Sequence, residues 1–110
     1  MKILIIDDNG AMLRSTKRAF AGNQDVYFAE CHSVEDAMKA IVEYAPNVIM
    51  LDHELTEGGN EGLEIVKQVK NATVFSTTSN NDVVEEYIKR GIFHVNKSDM
   101  GKFIKTLIEK

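Results

Sequence analysis

Ile3-Leu4-Ile5-Ile6-Asp7-Asp8-Asn9 lies at the start of the chain, and Val48-Ile49-Met50-Leu51-Asp52 repeats its design near the middle. Each is an unbroken apolar run that stops abruptly at aspartate. Such a run reads as a strand buried on both faces, as in a parallel sheet with helices on either side. Val26 to Ala29, Thr73 to Thr77 and Ile92 to Val95 have the same style.

Helical periods fill the gaps. Val34, Ala37, Met38, Ile41 and Val42 form one stripe at a 3.6-residue period. Ser33 precedes it with Asp36 three residues on, a variant of the capping box, and Pro46 lies just past its end. Met100, Phe103, Ile104, Leu107 and Ile108 repeat that spacing. Val83, Val84, Tyr87 and Ile88 mark a further helix, opened by Asn80 or Asn81 and closed by Gly91. Met12, Leu13, Thr16, Ala19 and Phe20 form the first helix, stopped at Gly22, and Leu63, Val66 and Val69 form a short third one. The order is β-α five times over, which predicts a doubly wound parallel sheet with right-handed crossovers.

The 110 residues make one domain, 1–110, with no linker or repeat. At 44% hydrophobic residues and a net charge of −4, the chain has the composition of a folded protein rather than a disordered one. Cys31 is the single cysteine, so a disulfide scaffold is excluded, and it reads as a buried small apolar residue. No apolar run approaches the ~18 residues of a membrane span, and the first run is too short for a signal peptide. A cytoplasmic protein with no membrane insertion is expected. The acidic balance argues against direct nucleic-acid binding.

In an open α/β sheet, sites form beyond the carboxyl ends of the strands where strand order reverses. Five β-α units of this size suggest the order 2-1-3-4-5, making strands 1 and 3 neighbours. Asp7, Asp8 and Asp52 then converge on one crevice. Their mutual repulsion requires a raised pKa or a cation, and the oxygen-rich donor set suits Mg²⁺. Taken alone, Asp7 or Asp8 reads equally well as a cap of the first helix. Strand 4 runs out into the hydroxyls of Ser76-Thr77-Thr78-Ser79, and strand 5 into Asn96-Lys97. Hydroxyls and a lysine suit a phosphoryl group.

Leu4-Ile5-Ile6-Asp7-Asp8-Asn9, Val48-Ile49-Met50-Leu51-Asp52, Val74-Phe75-Ser76-Thr77-Thr78 and Val95-Asn96-Lys97 together resemble the receiver domain of two-component response regulators, of the CheY-like superfamily. The resemblance covers the whole chain in the right order. It implies a (βα)₅ flavodoxin-like three-layer sandwich, and the strand order 2-1-3-4-5 is taken from that family. It further implies that Asp52 accepts a phosphoryl group from a sensor histidine kinase or phosphotransfer protein. Asp8 and Asp52 would hold Mg²⁺ or Mn²⁺ directly, Asp7 mainly through water, and Glu54 through its backbone carbonyl. Thr77, with Ser76 or Thr78 as the alternative should the register differ, would bond the phosphoryl group, and Lys97 would pair with it. The role would be that of a signalling phosphoacceptor rather than an enzyme with a turned-over substrate. A downstream protein would bind the face of helix 4, strand 5 and helix 5, including Tyr87, Arg90 and His94.

The chain departs from the family pattern in four places. Ser98 follows the lysine where proline is usual. The segment from Asp52 to Gly62 is about two residues longer than usual in the family, so Thr56-Glu57-Gly58-Gly59-Asn60 is expected to form a mobile flap. The segment from Thr77 to Lys97 is about two residues short. His94 stands where the family carries an aromatic switch residue, with Phe93 as the alternative. Two other functions share parts of this pattern. A Mg²⁺-dependent phosphohydrolase with an aspartate nucleophile needs a D-x-D after strand 1, where this chain has Asp7-Asp8-Asn9. An FMN-binding flavodoxin-like protein needs a hydroxyl-rich phosphate cradle there, which two acids would repel.

Overall fold

The computed structural model describes residues 1–56, 58–78 and 80–109; Glu57 of the loop after strand 3 and Ser79 of the hydroxyl run lie outside the described residues. Five strands and five helices alternate: β1 (Ile3–Asp7), α1 (Gly10–Ala19), β2 (Val26–Glu30), α2 (Val34–Tyr44), β3 (Val48–Leu51), α3 (Glu61–Gln68), β4 (Thr73–Ser76), α4 (Asn81–Lys89), β5 (Phe93–His94) and α5 (Lys97–Ile108). The strands form one parallel sheet in the order β2-β1-β3-β4-β5. This is the expected flavodoxin-like architecture.

Alternation along β1 divides the core in two. Leu4 and Ile6 join Ile49, Leu51 and Val74 under α2 and α3, with Ala37, Ala40 and Ile65 supplied by those helices. Ile3 and Ile5 join Val48 and Met50 on the other face, under Leu13 of α1 and Met100 and Ile104 of α5. Successive strand residues point to opposite faces, so an unbroken apolar run is what a sheet covered on both sides requires. Cys31 is buried in the first cluster, and burial raises its thiol pKa to about 11.

The helix signals are met with local corrections. Ser33 caps α2, accepting the Asp36 N–H at 3.0 Å, while Asp36 Oδ2 reaches back to the N–H of His32 at 3.2 Å. Asn80 rather than Asn81 caps α4, accepting the Asp82 N–H at 3.0 Å. Two stripe residues are not core. Val42 is 78% exposed and Ile88 57% exposed, because each sits at the edge of its stripe where no element packs over it. The fifth strand is two residues rather than four, which leaves Phe93 73% exposed.

Ala45 ends α2 in the left-handed region at φ 47°, ψ 56°, where a Cβ is unfavourable and glycine is usual. Ala45→Gly is therefore expected to stabilise the fold by about 0.5–1 kcal/mol, the strain relieved slightly exceeding the added unfolded-state entropy. Urea unfolding checks this. A midpoint lower than that of the wild type would contradict it.

Candidate functional site

The carboxyl edge of the sheet is built by register. Ile6 pairs with Leu51, and the Asp52 N–H donates to the Ile6 carbonyl at 3.1 Å. The first residues past these pairs are Asp7 and Asp52, so the two carboxylates emerge side by side. Leu51 pairs with Ser76, and the Thr77 N–H donates to the Leu51 carbonyl at 3.0 Å, which puts Thr77 next to Asp52 across the strands. Ser76 in turn pairs with His94, carrying the line on to β5 and the start of α5 at Lys97.

Asp7, Asp8 and Asp52 each offer an oxygen within 4.8 Å of the others. Lys97 Nζ lies 3.1 Å from Asp7 Oδ2 and 3.6 Å from Asp52 Oδ1. Neither Asp7 nor Asp8 caps α1: Asn9 does, accepting the Met12 N–H at 3.0 Å, and Asp7 Oδ1 accepts the Asn9 N–H at 2.9 Å. That leaves the acids available to the crevice. Asp7 Oδ2 is buried without a hydrogen bond; the Lys97 ammonium beside it makes an ionic contact of poor hydrogen-bonding angle. A buried carboxylate oxygen lacking a donor is costly unless a cation meets it.

The electrostatics agree. Burial, reinforced by the charge of Asp7 and only partly offset by Lys97, raises the Asp52 pKa to about 7. Burial and the neighbouring Asp7 also push Asp8 up. Burial works to lower Lys97, but the charges of Asp52 and Asp7 outweigh it and hold the ammonium above its ordinary value. Three carboxylates against one ammonium favour a divalent cation, and an all-oxygen donor set suits Mg²⁺. The residues present therefore fit such an ion.

The other expected site residues are placed as follows. Thr77 and Thr78 are both buried, and the Thr78 hydroxyl oxygen accepts the Asn80 N–H at 3.1 Å. Glu54 is half-buried, two residues beyond Asp52. Both residues of β5 pair with β4, Phe93 with Phe75 and His94 with Ser76; His94 Nδ1 lies 3.5 Å from Ser76 Oγ and Nε2 3.1 Å from Asn96 Oδ1, while Phe93 is exposed. The Lys97-Ser98 bond is trans, as are all peptide bonds of the described residues. Thr56, the first residue of the expected flap, is tied to α3: the Glu61 carboxylate accepts the N–H groups of Leu55 and Thr56 and the Thr56 hydroxyl, at 2.9, 3.2 and 2.8 Å. Burial acts against the charge of Glu61, but these bonds outweigh it and lower its pKa.

Tyr87 requires a correction. Expected on a partner-facing surface, it is fully buried, and its hydroxyl shares a 2.8 Å hydrogen bond with His53 Nδ1. Burial pushes the Tyr87 pKa up and the His53 pKa down, so both are neutral near pH 7. Their rings meet edge to face at 5.6 Å. Sequence reading missed this pair; a histidine directly after the site aspartate was its one local signal. Gly62 of α3 permits the contact. A Cβ there would strike Tyr87 Oη and lie 2.8 Å from His53 Cα and 3.0 Å from the Asp52 carbonyl oxygen. Gly62→Ala is expected to destabilise the protein by about 1–3 kcal/mol through overpacking. Thermal melting of the two proteins decides it, and equal melting temperatures would count against so tight an approach.

The chain matches the response regulator receiver domain family over residues 3–105, and it belongs to that family. It is similar to the sensory transduction protein LytT of Bacillus cereus, with 26% identity over 112 residues. The match covers 97% of this chain and 46% of LytT, so the chain spans about half the length of that relative. Among solved structures, it resembles the signal receiver domain of a DNA-binding response regulator from Colwellia psychrerythraea (TM-score 0.73, 24% identity, 100% and 99% of the two chains). It also resembles the N-terminal domain of an uncharacterized protein from Wolinella succinogenes (TM-score 0.77, 22% identity, 99% and 91% covered). A third is the isolated receiver domain of RcsB from Salmonella enterica serovar Typhimurium, determined with the phosphomimetic BeF₃⁻ (TM-score 0.73, 17% identity, 99% and 88% covered). The class of protein is thus a two-component signalling receiver. Receivers bind Mg²⁺ at an aspartate cluster and act between histidine kinases and effectors. Among the described residues, no helix is long and apolar enough to cross a membrane.

Proposed function

We propose that residues 1–110 are a receiver domain that accepts one phosphoryl group on Asp52 from a sensor histidine kinase or phosphotransfer protein, in the cytoplasm. The observation that carries this reading is the convergence of Asp7, Asp8 and Asp52 with Lys97 at the carboxyl edge between neighbouring strands. Held by the carboxylates of Asp8 and Asp52, by Asp7 mainly through water and by the Glu54 carbonyl, Mg²⁺ or Mn²⁺ would supply positive charge that offsets repulsion between the acceptor and the phosphoryl oxygens.

The chain's own groups do the rest. Asp52 Oδ1 is oriented by the N–H of His53 at 3.0 Å. One Asp52 oxygen attacks phosphorus, a P–O bond forms, and the P–N bond to the donor histidine breaks with its electron pair left on the imidazole nitrogen. Lys97, 3.6 Å from Asp52 Oδ1, pairs with the added anion, and Thr77, just past the end of β4 with its N–H on the Leu51 carbonyl, donates its hydroxyl to it. Thr78 is the less suited of the two hydroxyls, since its oxygen is engaged by the Asn80 amide.

For output, movement of Thr77 toward the phosphoryl group would free space beside Ser76, where the His94 ring already sits. The responsive surface is the α4-β5-α5 face around Arg90, Phe93 and His94, without Tyr87, and its partner is a downstream protein. Intact mass spectrometry after incubation with Mg²⁺ and a small phosphodonor tests the central step. One phosphoryl addition that requires the cation is expected; no addition with the cation present would overturn the proposal.

A further inference from the structure

Asp52 is held from behind by a junction of three elements. Its Oδ1 accepts the His53 N–H at 3.0 Å. The His53 carbonyl accepts the Gly62 N–H of α3 at 2.8 Å, and the His53 ring bonds Tyr87 of α4 at 2.8 Å. The residue whose N–H aims the acceptor is thus fixed through its own carbonyl by α3 and through its side chain by α4. Both His53 and Tyr87 are buried, so neither bond competes with bulk water.

The geometry points to Tyr87 and His53 as positioning residues for Asp52: their shared hydrogen bond holds the His53 peptide so that its N–H keeps the acceptor carboxylate in line. This rests on the proposed phosphoacceptor role of Asp52. Neither side chain touches the incoming phosphoryl group; each acts through the His53 amide. Reaction rates depend steeply on alignment, and a displacement of ~1 Å can cost a factor of ~100. Loosening one of several restraints is expected to cost about tenfold.

Tyr87→Phe removes only the hydroxyl and keeps the ring edge against His53. Its rate of phosphorylation at saturating acetyl phosphate is expected to fall about tenfold, with the donor KM and the Mg²⁺ affinity unchanged. His53→Leu should lose the same factor, and His53→Gln, which can still bond the tyrosine hydroxyl, should recover most of it. The Tyr87→Phe/His53→Leu pair should lose no more than either change alone, since both break one bond. An unchanged rate in folded Tyr87→Phe, or multiplying losses in the pair, would overturn the inference. If Tyr87→Phe does not fold, the contrast between His53→Leu and His53→Gln decides, and equal rates for those two overturn it. A wild-type protein that takes no phosphoryl group sinks the underlying function instead, so the two failures are distinct.

Discussion

Asp52→Asn is expected to take no phosphoryl group and, without metal, to melt higher than the wild type. The loss follows because an amide is a poor nucleophile and forms no acyl phosphate. The gain follows from the crevice. Burial and the charge of Asp7 raise the Asp52 pKa to about 7 from an ordinary 3.8. The folded state therefore holds this proton more tightly than the unfolded chain does. Its stabilising contribution is complete below pH 3.8 and is lost as pH rises through about 7. Above that the wild type carries a buried charge, only partly offset by Lys97, that asparagine lacks. Discounted for solvent screening at the crevice mouth, the gain is about 1–2 kcal/mol, or roughly 5–10 °C in melting temperature. It should be larger at pH 8 than at pH 5, and millimolar Mg²⁺ should narrow it by stabilising the wild type. A gain larger at pH 5, or phosphorylation of the variant, contradicts the assignment.

Asp8→Ala and Lys97→Ala should separate metal binding from phosphoryl binding. Asp8→Ala removes one of three converging carboxylates. Mg²⁺ affinity should fall at least tenfold, since even outer-shell changes cost about 10–100-fold. Lys97→Ala removes the ammonium 3.1 Å from Asp7 and leaves every carboxylate in place. Mg²⁺ affinity should be kept or tightened, because the competing positive charge is gone. Phosphorylation should nonetheless fall about tenfold or more, as the added anion loses its counter-charge. The chain has no tryptophan, so calorimetry serves for the metal titration. Equal loss of Mg²⁺ binding in the two variants would show the roles misassigned.

The acidic site was legible because its residues are marked locally. An apolar run broken by aspartate announces both a buried strand and the point where that strand reaches solvent. Once β1 and β3 are neighbours, Asp7, Asp8 and Asp52 must meet. The output region was less legible. β5 is a two-residue edge strand, and its exposed Phe93 reads in sequence like core. The stripe containing Val42 shows the same limit, since periodicity tells which face turns inward but not how wide a strip the sheet covers.

Local propensity and hydrophobic period were enough to determine the five β-α units, the cap at Ser33, a cap at Asn80 or Asn81, and the burial of the central strands. Those depend on interactions within a few residues or on the sheet's alternation. The burial of Tyr87, its bond to His53 and the need for glycine at position 62 were decided only by tertiary structure. Tyr87 and His53 lie 34 residues apart on α4 and the β3-α3 loop. Whether they touch depends on how closely α3 and α4 pack, a distance set by the sum of many small contacts rather than by any one segment.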